Sequence, residues 1–143
     1  MDVVASVIDP AIRAFAPSDV IIRPRVTSAE LHELYRKAHV FVMPSLVEGF
    51  GLVYLEALAA GCHCIYTPNT GVPDLSLPTY AGTEAPPGNV EALRAILTDT
   101  AHKANSGELH SALIQSVTRN RPWSKFREEI MAAINLMNPL IFK

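Results

Sequence analysis

Apolar residues come in short runs divided by polar and turn-forming positions. Val20, Ile21 and Ile22, closed by Pro24, predict a strand. Thr27 and Glu30 have capping-box spacing and open a helix whose Leu31, Leu34, Tyr35 and Ala38 share one face, the face laid against a sheet. Residues 39–43 form an apolar run stopped by Pro44, the pattern of a buried strand. Two glycines then flank Phe50, and a helical run ends at Gly61. Its one charge between Gly49 and Gly61 is Glu56, which predicts a helix buried almost all round. Cys64, Ile65 and Tyr66 predict the following strand.

Upstream, Val3, Val4, Val7 and Ile8 suit a short helix or a buried strand, and Asp9 and Pro10 read as cap and first helical position for residues 11–16. Residues 68–88 are rich in Pro, Gly and Thr and predict loop, with a short strand near Tyr80. Asn89 caps a helix through Val90, Leu93, Ile96 and Leu97, and a second helix covers Leu109, Leu113 and Val117. Both are expected to cover the sheet. Pro122 opens a last helix with Phe126, Ile130, Ile134 and Met137 as a packing stripe. The alternation predicts an α/β fold, a Rossmann-like parallel sheet with covering helices and right-handed crossovers. Ligands of such sheets bind beyond the carboxyl ends of the strands, so loops 44–51 and 67–74 are expected to face each other across one site.

At that rim the order is strand, glycine loop, helix. Gly49 and Gly51 are expected to allow positive φ and close approach, so that the amides of Phe50, Gly51 and Leu52 converge on an anion, naturally a phosphate-rich one. Glu48 lies in the loop and Glu56 eight positions on. Among Leu55, Ala57 and Leu58 a glutamate is expected to be desolvated and to need donors, for which ribose or sugar hydroxyls are suitable. The residues alone weigh equally a plainer reading, in which Glu56 complements the helix dipole and Glu48 is solvated.

Composition narrows the class. A chain of 143 residues with 49% hydrophobic content is expected to form a single domain over 1–143 with a real core. A net charge of −2 without a basic cluster argues against nucleic acid as partner, so an anion site must rely on backbone amides. No apolar run approaches the roughly 18 residues of a membrane span, and a basic start with a long apolar core is lacking, which makes a cytoplasmic location the expectation. Cys62 and Cys64 alternate, so both thiols face one way, reduced and packed; His63 faces the other way and no further cysteine completes a zinc site, so no metal is expected. His39 reads as a strand start, and His32, His102 and His110 as exposed helical positions.

The stretch 48–61, E-G-F-G-L-V-x-L-E-A-L-A-A-G, strongly resembles the E-x7-E signature of retaining glycosyltransferases of the two-domain GT-B fold, group 1 or family 4. The resemblance runs over about residues 20–123, taking in E-L-H-E-L-Y at 30–35, A-H-V-F-V-M-P-S at 38–45 and T-G-V-P-D at 70–74. It implies the C-terminal, nucleotide-sugar-binding half of that fold, truncated at its N-terminal side. Glu48 is then the catalytic position on the donor sugar, Gly49, Phe50, Gly51 and Leu52 meet sugar and phosphate, and Glu56 holds the ribose. Arg25 and Val26 fall at the turn whose backbone contacts the base, with Pro24 in place of a common glycine, which implies an altered pocket. Asp74 stands where glutamate is usual and, with Ser45, reads as a loop brace.

The implied substrate is a UDP-, GDP- or ADP-sugar, with no separate cofactor. The family also has a first βα unit with basic residues for the donor diphosphate, and an N-terminal acceptor domain; neither finds a match here, where Arg13, Arg23 and Arg25 are the early cations. The isolated chain is therefore expected to be inactive without an acceptor-domain partner. It is also expected to self-associate through apolar surface around Phe50 and the early strand region, and any peripheral contact with a membrane would come through the missing half. The alternative is a non-catalytic nucleotide-responsive or pairing subunit with the same fold. A flavodoxin-like signalling domain fits the βα alternation but not the two spaced glutamates.

Overall fold

Strands and helices alternate along the residues that the computed structural model describes, 1–5, 10–49, 51–119 and 128. The order is β1 (Asp2–Val4), α1 (Pro10–Phe15), β2 (Ile21–Arg23), α2 (Ser28–Lys37), β3 (Val40–Val42), α3 (Leu52–Ala60), β4 (His63–Tyr66), a 3-10 turn (Pro73–Leu75), β5 (Gly82–Glu84), α4 (Val90–Asn105) and α5 (Ser111–Arg119). All pairings are parallel, as the alternation predicts, but the sheet comes in two parts. One is β1-β2, with Val3 opposite Ile22; the other is β3-β4-β5, with Phe41 opposite Cys64 and Cys64 opposite Gly82. Val7, Ile8, Asp9 and the helix expected after Pro122 lie outside the described residues, Glu128 apart.

Local signals set the element ends. The Thr27 hydroxyl accepts from the Glu30 amide while the Glu30 carboxylate accepts from the Thr27 amide, closing both halves of the capping box. Asn89 accepts from the Ala92 amide at 3.0 Å and starts α4. Gly61 ends α3 in the left-handed region, φ 95°.

Tertiary packing corrects four expectations. β4 has a neighbour on each side and is buried throughout, but β3 is only half-buried. Helix α3 buries Tyr54, Ala57 and Leu58 and leaves Leu52, Glu56 and Ala59 exposed, one stripe at spacings of four and three, so it is not buried all round. Ala38 is the exposed C-cap of α2 rather than part of its packed face. Helix α5 packs on α3 instead of the sheet: Ile114 is fully buried, and Gln115 donates to the Ala60 carbonyl at 3.3 Å. A row of edge-to-face rings joins the layers, Tyr35 to Phe41 at 5.6 Å, Phe41 to Tyr54 at 5.4 Å and Tyr54 to Tyr66 at 6.5 Å.

Cys62 and Cys64 are free, buried thiols, packed as expected. Burial pushes the Cys62 thiol up to about 11, and burial with the neighbouring Cys62 pushes Cys64 up further. His63, on the other face of β4, is buried between the Tyr80 carbonyl, 3.1 Å from Nδ1, and the Thr83 hydroxyl, 2.9 Å from Nε2. A carbonyl only accepts, so Nδ1 carries the hydrogen and Nε2 accepts from Thr83. Burial lowers the His63 pKa, against the Tyr80 carbonyl, which raises it; Lys103 lowers it and Asp99 raises it.

The unfolded chain therefore takes up this proton first as pH falls. The stability that neutral His63 contributes is complete above the unfolded value of about 6.5 and is lost below it, toward the lowered folded value. Urea midpoints are expected to fall between about pH 7.5 and pH 5. The fall should be smaller in His63→Gln, and equal falls in both proteins would contradict this assignment.

Candidate functional site

Met43 follows β3, and its amide donates to the Ile65 carbonyl at 3.2 Å. The Met43 carbonyl accepts from the Ser45 amide and from the hydroxyl of buried Tyr54, which anchors the loop start to α3. Burial, the largest cause, and then Cys64 and Glu48 push the Tyr54 phenol up to about 12, keeping it a donor. From there the loop is stitched to the one after β4. Thr67 donates to the Ser45 carbonyl, Asn69 Nδ2 to the Leu46 carbonyl at 3.0 Å, the Glu48 amide to the Asn69 carbonyl at 3.1 Å and the Gly71 amide to the Gly49 carbonyl at 3.0 Å. The two loops do meet at the carboxyl ends of the strands, but zipped together rather than across a cleft. The open side faces α3, where Met43, Glu48, Gly51, Leu52 and Val53 line a concavity of about 390 Å³.

Gly51 starts α3 at φ 67°, and a Cβ there would lie 2.8 Å from Tyr54 Cδ2. Both left-handed backbone and close ring approach require glycine. Gly49 does not adopt positive φ and has open space around it, a correction to the expectation for both glycines. Its carbonyl, held by Gly71, does the work instead. Among the described residues the amides of Gly51, Leu52 and Val53 have no acceptor, as a helix start leaves them. Phe50 lies outside the described residues.

Glu48 is exposed and turns back on its loop, Oε1 accepting from the Gly49 amide at 3.0 Å. Glu56 is exposed, not desolvated, and has no hydrogen bond among the described residues. It does not line the concavity, yet it shares the exposed stripe of α3 with Leu52, which does. Arg25 is exposed and Val26 half-buried beyond β2, and neither lines the concavity. Asp74 is exposed in the 3-10 turn with no hydrogen bond among the described residues, and Ser45 contributes its backbone. The observed braces are Thr67, Asn69 and Thr70, whose hydroxyl donates to the Thr67 carbonyl at 2.8 Å.

Sequence reasoning missed Tyr54 and Thr67. Their signals were an aromatic inside an otherwise aliphatic helix and a threonine one position past an apolar strand. Among the described residues no group of His, Cys, Asp and Glu could hold a metal ion, and no helix is long and apolar enough to cross a membrane.

A model of the family described as glycosyl transferases group 1 matches residues 7–118. The chain belongs to that family. O-antigen chain mannosyltransferase B of Escherichia coli is 29% identical over 112 residues, 78% of this chain and 29% of that one. D-inositol 3-phosphate glycosyltransferase of Streptomyces bingchenggensis is 44% identical over 73 residues, 50% of this chain and 16% of that one. Among solved structures, sucrose-phosphate synthase from Thermosynechococcus elongatus superposes with a TM-score of 0.57 at 25% identity, over 86% of this chain and 33% of that one. The parallel α/β architecture is thus that of a GT-B domain, and the chain spans a third or less of each of these three proteins.

Proposed function

We propose that this chain is the donor-binding part of a retaining glycosyltransferase, taking a UDP-, GDP- or ADP-sugar and passing the sugar to an acceptor held by another domain. The observation that carries the reading is the junction of β3 and α3. Glu48 stands at the rim of a concavity, the amides of Gly51, Leu52 and Val53 open α3 beside it, and Glu56 follows on the same exposed stripe as Leu52. A diphosphate sits well at such a start, where N–H groups and the helix dipole both favour negative charge. Glu48 exchanges the Gly49 amide for hydroxyls of the sugar, and Glu56 accepts from the ribose hydroxyls. No cofactor enters this reading, and a cytoplasmic setting suits a sugar nucleotide. Transfer itself requires an acceptor positioned against the donor, so the isolated chain is expected to bind without turning over.

Calorimetry separates the two carboxylates. A hydrogen bond to a charged group contributes about 1.5–3 kcal/mol, so Glu56→Gln is expected to weaken nucleoside diphosphate binding about tenfold or more, with melting temperature unchanged. Glu48→Gln should weaken the nucleotide-sugar more than the bare diphosphate. Unchanged affinity in Glu56→Gln sinks the ribose role, and an equal loss for both ligands in Glu48→Gln sinks the sugar role.

A further inference from the structure

Glu48 stands in a loop whose side chains do little to fix it: among the described residues its carboxylate accepts only from the next amide, Gly49, and both residues are exposed. The backbone around it is nevertheless pinned at three points. The Leu46 carbonyl accepts from Asn69 Nδ2 at 3.0 Å, the Glu48 amide donates to the Asn69 carbonyl at 3.1 Å, and the Gly49 carbonyl accepts from the Gly71 amide at 3.0 Å. Two of these contacts belong to Asn69. It grips the chain on either side of Val47, by its side chain before and by its backbone after, and Val47 itself is left exposed. With its amide and the following carbonyl both held, Glu48 has mainly its side-chain torsions free, so this clasp sets where its carboxylate can reach along the concavity it lines.

Asn69 is in turn anchored to the core. It follows Thr67, which is fully buried and donates to the Ser45 carbonyl, and precedes Thr70, whose hydroxyl donates to the Thr67 carbonyl at 2.8 Å and accepts from the amide of buried Val72 at 3.3 Å. Hydroxyls thus fix the turn from inside while Asn69 stays on its exposed side. The contact with Leu46 also demands an amide. A carbonyl only accepts, so the NH2 end must face it; aspartate would set oxygen against oxygen, and alanine would leave the carbonyl to water. Leu46 and Asn69 are both exposed, so loss of their bond buries no unpaired group and bears more on the order of the loop than on the fold.

We propose that Asn69 is a positioning residue for sugar recognition, holding the backbone from Leu46 to Glu48 in the arrangement from which the Glu48 carboxylate meets the donor sugar. The inference rests on the donor-site reading above and deepens it, since it makes the loop after β4 part of sugar selection. Apparent affinity falls with the fraction of molecules in the competent arrangement. Loosening the clasp should therefore weaken sugar binding and leave the amides that open α3, and with them the diphosphate, as they were.

Calorimetry and residue-resolved hydrogen exchange test this on the wild-type chain, Asn69→Ala, Asn69→Asp, Glu48→Gln and the Asn69→Ala/Glu48→Gln double variant. The probes are UDP, GDP and ADP, and UDP-glucose, GDP-mannose and ADP-glucose. In Asn69→Ala the Glu48 and Gly71 amides are expected to exchange at least about threefold faster, with Met43 unchanged. The nucleotide-sugar should bind about three- to tenfold more weakly, with bare diphosphate affinity and melting temperature unchanged. Asn69→Asp should lose as much or more. The double variant should lose no more than Glu48→Gln alone, because a clasp without a carboxylate to aim has nothing to contribute. Unchanged exchange in Asn69→Ala overturns the clasp, and additive losses in the double variant overturn its action through Glu48. A merely structural brace gives a lower melting temperature and equal losses for sugar and diphosphate, which overturns the proposal as well. If Glu48→Gln shows the sugar-selective loss and Asn69→Ala does not, the donor-site reading stands and only the positioning role falls. If the wild-type chain binds none of the six probes, the donor-site reading fails and takes this proposal with it.

Discussion

Gly61→Ala is expected to lower the stability by about 2–4 kcal/mol, the sum of left-handed strain and a collision. At φ 95° a side chain is strained in any surroundings, and here a Cβ would also lie 2.8 Å from Ser111 Cβ, 3.1 Å from the Ser111 carbonyl oxygen and 3.2 Å from its Cα. Backbone cannot swing aside as a flexible side chain does, so α5 would have to lift from α3. Gly88 and Gly107 supply the control: both have positive φ and nothing within 4 Å. Alanine at either should cost only the strain, about 1 kcal/mol or slightly more. Adding Ser111→Gly to Gly61→Ala should restore part of the loss. Urea denaturation of the set decides it, and similar losses at Gly61, Gly88 and Gly107 would remove the collision from the account.

Tyr54→Ala should be as damaging, about 3–5 kcal/mol, because the ring is wholly buried and its removal leaves a cavity. The ring touches Phe41 on one side and Tyr66 on the other, and it is the surface on which Gly51 rests. Tyr54→Phe isolates the hydroxyl. The Met43 carbonyl keeps its bond from the Ser45 amide, so no acceptor is orphaned and the loss should be about 1 kcal/mol. Thermal and chemical denaturation of both variants measure the pair. If Tyr54→Phe destabilises as much as Tyr54→Ala, the hydroxyl rather than the packed ring holds the junction.

What was readable in the chain beforehand was what neighbours in sequence decide. Thr27 and Glu30 cap each other three residues apart, Asn89 caps its own helix, and Gly61 must follow a helix that can go no further. The spacing of Glu48 and Glu56 was likewise visible, since it needs no partner from elsewhere. Exposure was not. Leu52, Glu56 and Ala59 form the open stripe of an apolar helix because β4, α2 and α5 occupy its other sides, and no hydrophobic count distinguishes those sides. The short strand expected near Tyr80 is β5, and because Gly82, Thr83 and Glu84 lack apolar pattern only pairing with β4 sets its bounds. Gly49 and Gly51 look alike in sequence, and the bond from Gly71 to the Gly49 carbonyl, together with the Tyr54 ring beneath Gly51, separates their roles.

The buried thiol pair gives this protein an internal clock. With Cys62 held up to about 11, only about one thiol in a thousand is ionised at pH 8, and a thiolate is what an alkylating reagent attacks. Cys62 also donates to the Tyr35 carbonyl at 3.2 Å, a contact between the end of α3 and the body of α2. Capture of sulfur by iodoacetamide therefore waits on the parting of those two helices, and its pace counts how often they part. Under the proposed donor-site reading, a nucleotide that grips the start of α3 would slow a reaction at its far end, and the alkylation rate of the purified protein would follow that ligand.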